Sequence, residues 1–135
     1  MKEILFRGKR ADNGDWVYGF LIKMRGQYHI IDQNDEDSAY MIKPETVGQY
    51  SEHRDDRFLR IFEGDILKVS YDDGTAYTTE VSAYGSTLCV DIEGEDYDFT
   101  AIDFAVDIWK DNWCKFEVIG NIYDNKELSG NKNNG

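Results

Sequence analysis

The chain reads as an all-β protein, a small β-barrel fold with at most one short helix. Three observations carry this reading. Ile61–Tyr71 (IFEGDILKVSY) places a Gly64-Asp65 turn ahead of a strand in which Leu67, Val69 and Tyr71 alternate with polar Lys68 and Ser70. Phe116–Tyr123 (FEVIGNIY) supplies a partner strand near the C-terminus. Between and before them, short apolar runs are punctuated by Asn-Gly and Asp-Gly pairs, the residues that favour tight hairpin turns.

Taken in order, Met1–Arg10 opens with Ile4 and Phe6 on one face of a strand. Asn13-Gly14 suits a type I′ turn, which needs positive φ at both central residues. In the return run, Asp15–Met24, the residues Trp16, Tyr18, Phe20, Ile22 and Met24 share parity and fall on one face; Val17 and Leu21 add apolar surface opposite. Arg25-Gly26 turns the chain into Gln27–Ile31. Asp32–Asp37 (DQNDED) is an exposed acidic loop, Tyr40–Ile42 a short apolar run, and Pro44 breaks any ladder there. Glu45–Tyr50 is expected to be a short strand and Ser51–Arg57 (SEHRDDR) a charged loop between two halves.

After Tyr71, Asp72-Asp73-Gly74 is a second hairpin turn, with Thr75–Ala83 returning as one strand. Tyr84-Gly85-Ser86 turns again into Thr87–Ile92, where Leu88, Val90 and Ile92 face inward. Glu93–Asp98 is acidic loop. Phe99–Asp111 fits two periods. As a strand, Ile102, Phe104, Val106 and Ile108 share a face; as a helix, Phe99, Ile102, Val106 and Trp109 line one side with Asp103, Asp107 and Asp111 opposite. The expectation leans to extended structure with one helical turn.

A length of 135 residues bounds the chain to one compact domain or two very small ones sharing a core. An apolar fraction of 41% with 7 Phe, 9 Tyr and 3 Trp is enough to form that core. Gly14-Asp15-Trp16-Val17 recurs in type at Gly64-Asp65-Ile66-Leu67, and Val47-Gly48-Gln49-Tyr50 at Ile119-Gly120-Asn121-Ile122. These echoes suggest a duplicated small barrel, although four-residue matches also arise by chance. The organisation expected is a single unit over residues 1–126, made of halves at about 1–56 and 57–126, with a flexible tail over 127–135.

The 27 Asp and Glu against 15 Lys and Arg give a formal net charge of −12. Such a charge repels nucleic acid and anionic membranes at long range, so a basic protein is the easier partner. Two cysteines, Cys89 and Cys114, make no disulfide framework. The N-terminus shows no signal-peptide pattern, and no apolar run approaches the roughly 20 residues that span a bilayer. Cytoplasm is the expected compartment, with no membrane partner.

Four segments then resemble the phage and prophage YopX-like family. Ile61-Phe62-Glu63-Gly64-Asp65-Ile66-Leu67 is similar to its IYEGDIV-like segment, and Glu117–Leu128 (EVIGNIYDNKEL) to its EVIGNIYDNPEL-like segment, with Lys126 where many members have proline. Glu45-Thr46-Val47-Gly48-Gln49-Tyr50 resembles the family's ETVGQYTG, departing at Ser51-Glu52, and Leu5-Phe6-Arg7-Gly8 its N-terminal segment. The resemblance implies two SH3-like barrels with swapped N-terminal strands, a homo-oligomer, and a phage or prophage gene acting in the bacterial host cytoplasm. It implies no activity.

No constellation of residues declares a chemistry. Glu63 and Asp65 share parity and could pair as acid and base, but a turn carboxylate bonding local N–H groups is the simpler reading. Asp91, Glu93, Glu95, Asp96 and Asp98 lack the spacing of a calcium loop. Between Asp91 and Asp111, eight acids against one lysine leave a net of −7, a docking face for a basic partner or a solubilising surface. His29 and His53 have no metal-like spacing to the cysteines, and no phosphate-binding glycine loop is present. Trp16, Tyr18, Phe20 and Tyr28, with Lys9, Arg10, Lys23 and Arg25, could form a base-stacking platform, against which the overall charge argues. No residue is therefore assigned to catalysis, cofactor or metal. The expectation is a non-enzymatic, oligomeric protein-binding or structural module. The alternatives are an acidic mimic or inhibitor of a basic DNA-binding protein, or a nucleic-acid-binding barrel; a small carboxylate hydrolase is the enzymatic rival.

Overall fold

The computed structural model describes residues 4–92 and 97–128, so most of the Glu93–Asp98 loop and the residues from 129 onward lie outside the described part. The chain divides into two compact units, Met1–Glu52 and His53–Gly135.

In the first unit, β1 (Phe6–Lys9), β2 (Trp16–Met24), β3 (Gln27–Asp32), β4 (Ala39–Met41) and the start of β5 (Gly48–Arg54) lie antiparallel in the order β4-β3-β2-β1-β5. Val17, Ile30 and Ile42 form the core on one side, with Phe6, Leu21, Tyr40 and Val47 packed against them. An isolated bridge between Arg10 and Ile42, and the Lys43 N–H to Lys9 carbonyl bond of 2.8 Å, draw the ends of β1 and β4 together around that core.

The two-residue primed turn is at Arg25-Gly26, where both φ angles are positive (52° and 78°) and Met24 pairs with Gln27. At Asn13-Gly14 only Gly14 is left-handed; a wider loop forms instead, closed by the Gly14 N–H to Arg10 carbonyl bond of 2.9 Å. Pro44–Thr46 is a 3-10 turn rather than strand, and Ser51–Arg54, expected in a loop, continues β5 because Ser51 is buried.

The second unit holds β6 (Arg60–Phe62) and two three-stranded sheets. One is β12-β7-β8, from β7 (Asp65–Ser70), β8 (Ala76–Glu80) and β12 (Lys115–Asn121). The other is β11-β10-β9, from β9 (Ser82–Tyr84), β10 (Thr87–Ile92) and β11 (Tyr97–Ala101). The pairing of Ile66–Ser70 with Phe116–Gly120 is antiparallel, with a register shift between Val118 and Gly120. Thr75–Ala83 is two strands, because the chain changes sheets at buried Val81, whose N–H and carbonyl bond Asp65 and Gly64.

Ile102–Asp111 forms helix α1, which corrects the leaning towards extended structure. The buried residues Ile102, Ala105, Val106 and Trp109 recur at i, i+3, i+4 and i+7, whereas a strand would have buried Phe104, which is 61% exposed. Trp109 packs on Phe116 at 5.2 Å, and its indole N–H donates to the Tyr77 hydroxyl at 3.0 Å. The helix closes in a Schellman motif, with Cys114 N–H bonding the Trp109 carbonyl at 2.9 Å and Trp113 N–H the Lys110 carbonyl at 3.2 Å. The all-β class with one short helix holds. Closed barrels do not form among the described residues; the strands make open sheets, and the helix covers part of the second unit's core.

Candidate functional site

Two of the family-like segments, Ile61–Leu67 and Glu117–Leu128, converge on one knot in the second unit. Asp65 is 1% exposed, and its Oδ2 accepts the Phe62 N–H at 2.7 Å. Its register partner is Asn121, and the Ile122 N–H reaches the Gly64 carbonyl at 2.9 Å. Asn121 Oδ1 accepts the N–H groups of Tyr123 (3.0 Å) and Asp124 (2.9 Å). Asn125 Oδ1 lies only 2.4 Å from where a Cβ on Gly120 would stand and accepts the Asn121 N–H at 3.1 Å. The segments therefore serve backbone satisfaction, the job polar side chains do best at strand ends. Glu63 sits in the turn, half-buried, so strand parity does not pair it with Asp65.

The acidic block divides. Asp91 Oδ1 accepts the Phe99 N–H at 3.3 Å, while Asp103, Asp107 and Asp111 stand exposed on the outer side of α1. Asp103 meets the His53 ring at 2.5 Å. Residues 93–96 lie outside the described part. Among the described residues, no three His, Cys, Asp or Glu are arranged to hold a metal. Burial pushes both thiols up, with the Asp72 carboxylate adding to the effect at Cys114. No helix is long and apolar enough to cross a membrane.

The aromatic platform divides too. Cross-strand partners share a face, so Tyr28, opposite Lys23, stands on the other side of the sheet from Phe20 and Ile22. Trp16 carries the Arg7 guanidinium at 4.6 Å and the Lys9 ammonium at 5.4 Å from its ring centre, so its π-face is already engaged. Arg10 stacks on Tyr40 at 4.2 Å and is ion-paired to Asp12 at 2.7 Å, which holds that carboxyl below its usual range. These groups border a cavity of about 280 Å³ lined by Ala11, Asp12, Ala39, Tyr40 and Met41.

The remaining feature is the outer face of β2, β3 and β4. The register places Phe20 beside Ile31 and Ala39, Ile22 beside His29 and Met41, and Met24 beside Gln27. Phe20 is 50% exposed, Met24 42% and Met41 46%. The five-residue parity of β2 was readable from sequence, but which side would be left open was not. The contributions of Ile31, Ala39 and Met41 depend on pairings that no local pattern specifies. The residues that β2, β3 and β4 place on this surface are mostly apolar and include no carboxylate; Asp12 borders it in the cavity beside Ala39 and Met41. Such a surface suits protein contact rather than chemistry.

No curated protein matches the sequence. Residues 5–128 match the YopX protein family, and the chain belongs to that family.

Proposed function

We propose that this YopX-family protein is a phage- or prophage-encoded accessory protein that works by binding rather than catalysis, as a self-assembling β module. A second copy covers the outer face of β2, β3 and β4. The observation that supports this reading is the row of Phe20, Ile22, Met24, Ile31 and Met41, which leaves apolar surface open on one face. Copies carrying −12 repel one another, and contact is cheapest where acids are absent. Met1–Glu52 has 9 acids against 7 bases, whereas the rest of the chain has 18 against 8, and the residues that β2, β3 and β4 place on this face include no acid. Light scattering across a range of salt concentrations tests it: a discrete, salt-resistant oligomer is expected, and a monomer at every salt concentration rejects it.

A second reading is favoured by α1, whose outer side presents Phe104 among Asp103, Asp107 and Asp111. That side would take a basic, DNA-binding protein as an acidic mimic does. Its test is a titration with a lysine-rich polypeptide. Binding that weakens with salt and is lost in Asp107→Asn supports it, and no binding at low salt rejects it.

A further inference from the structure

We infer that His29 makes closure of the outer β2–β3–β4 face pH-sensitive, so that the assembly loosens as the solution turns acidic. This rests on the self-assembly reading of the same face. His29 is half-buried at its centre, opposite Ile22 on β2 and Met41 on β4. Its Nδ1 lies 3.1 Å from the Gln27 carbonyl, so a neutral ring donates there and keeps Nε2 as an acceptor.

Among the described residues, β2, β3 and β4 place no carboxylate on this face; Asp12, in the cavity beside Ala39 and Met41, is ion-paired with Arg10. On this side β2 presents Trp16, Tyr18, Phe20, Ile22 and Met24, β3 presents Gln27 and Ile31, and β4 presents Ala39 and Met41. Lys23, Tyr28 and Asp32 pair towards the opposite side, Arg25 is in the turn, and Arg7 and Lys9 stand on β1 beside Tyr18 and Trp16. An imidazolium enclosed there by a second copy would lose water without gaining a counter-charge. Closure therefore takes the neutral ring, and protonation favours separate copies. Association therefore weakens as the solution turns acidic.

The bulk charge acts in the other direction. The sequence pI is about 4.4, so acidification reduces mutual repulsion and alone would tighten association. The two effects differ in sign, which makes the test decisive.

Sedimentation equilibrium at pH 7.5, 6.5 and 5.5 would be run on the wild type, the neutral replacements His29→Gln and His29→Leu, and His53→Gln as control for the other histidine. Expected is a loss of about tenfold in association per enclosed histidine between pH 7.5 and 5.5, in the wild type and His53→Gln. At least one His29 replacement assembles and shows no such loss. Wild-type association that is flat or tightens on acidification overturns the inference while leaving self-assembly standing. So does the same loss in both His29 replacements, or failure of both to assemble while the wild type does. A wild type monomeric at pH 7.5 overturns the self-assembly reading and this inference with it.

Discussion

Asp55 Oδ2 accepts the backbone N–H of Val118 at 2.9 Å, across 63 residues of sequence. Its Oδ1 accepts the N–H groups of Arg57 and Leu59, both at 2.9 Å. Asp56 Oδ2 takes the Phe116 N–H at 2.8 Å, and Arg57 donates to the Val118 carbonyl at 2.6 Å. Three consecutive side chains thus occupy the outer edge of β12, which would otherwise offer a row of unpaired groups to another strand.

Asp55→Ala leaves three N–H groups without their acceptor, in a residue 4% exposed. A loss of about 3 kcal/mol is expected in denaturant unfolding. Asp55→Asn, which keeps one acceptor oxygen, should lose less. Equal, small effects would show the clasp to be dispensable.

Trp113 occupies the left-handed position after α1 with φ of 59°, where glycine is the ordinary occupant, and it is 78% exposed. Trp113→Gly relieves the backbone at little packing cost. A gain of about 1 kcal/mol in thermal unfolding is the expected outcome; a loss would mean the ring is packed.

Gly120→Ala places a methyl carbon 2.4 Å from Asn125 Oδ1. A loss of about 2 kcal/mol is expected. In a double-mutant cycle with Asn125→Ala the two losses should fall short of their sum, because they damage one contact. Additive losses would place the strain elsewhere.

Cys89 is buried and Cys114 half-buried, with both thiols pushed up. At neutral pH a disulfide reagent should therefore modify both slowly, Cys114 first, and faster as the pH rises. Rapid labelling of Cys89 would show that β10 opens readily.

Hairpins and strand faces were legible because glycine punctuation and period-two alternation are local signals. The face shared by Phe20, Ile22 and Met24 and the solvated loop after Asp32 follow from them. The helix was not, because Ile102–Asp111 carries apolar residues at both periods; burial of Ala105 and Trp109 decides between them, and burial is a tertiary property. Its end was hidden as well, since Trp113 holds a place that glycine would have announced. Asp55 looked like part of a charged loop because its partner at Val118 is remote in sequence. The candidate site was half legible: β2 showed its stripe, while His29 and Met41 joined it only through register.

The most direct measurement is the native mass of the wild type beside Ile22→Glu, both at high salt and neutral pH, with circular dichroism confirming that each is folded. Ile22 lies at the centre of the open face, beside His29. The expected result is a discrete oligomer for the wild type and a folded monomer for Ile22→Glu. Identical masses for the two folded proteins would contradict the assignment of this face as the contact surface.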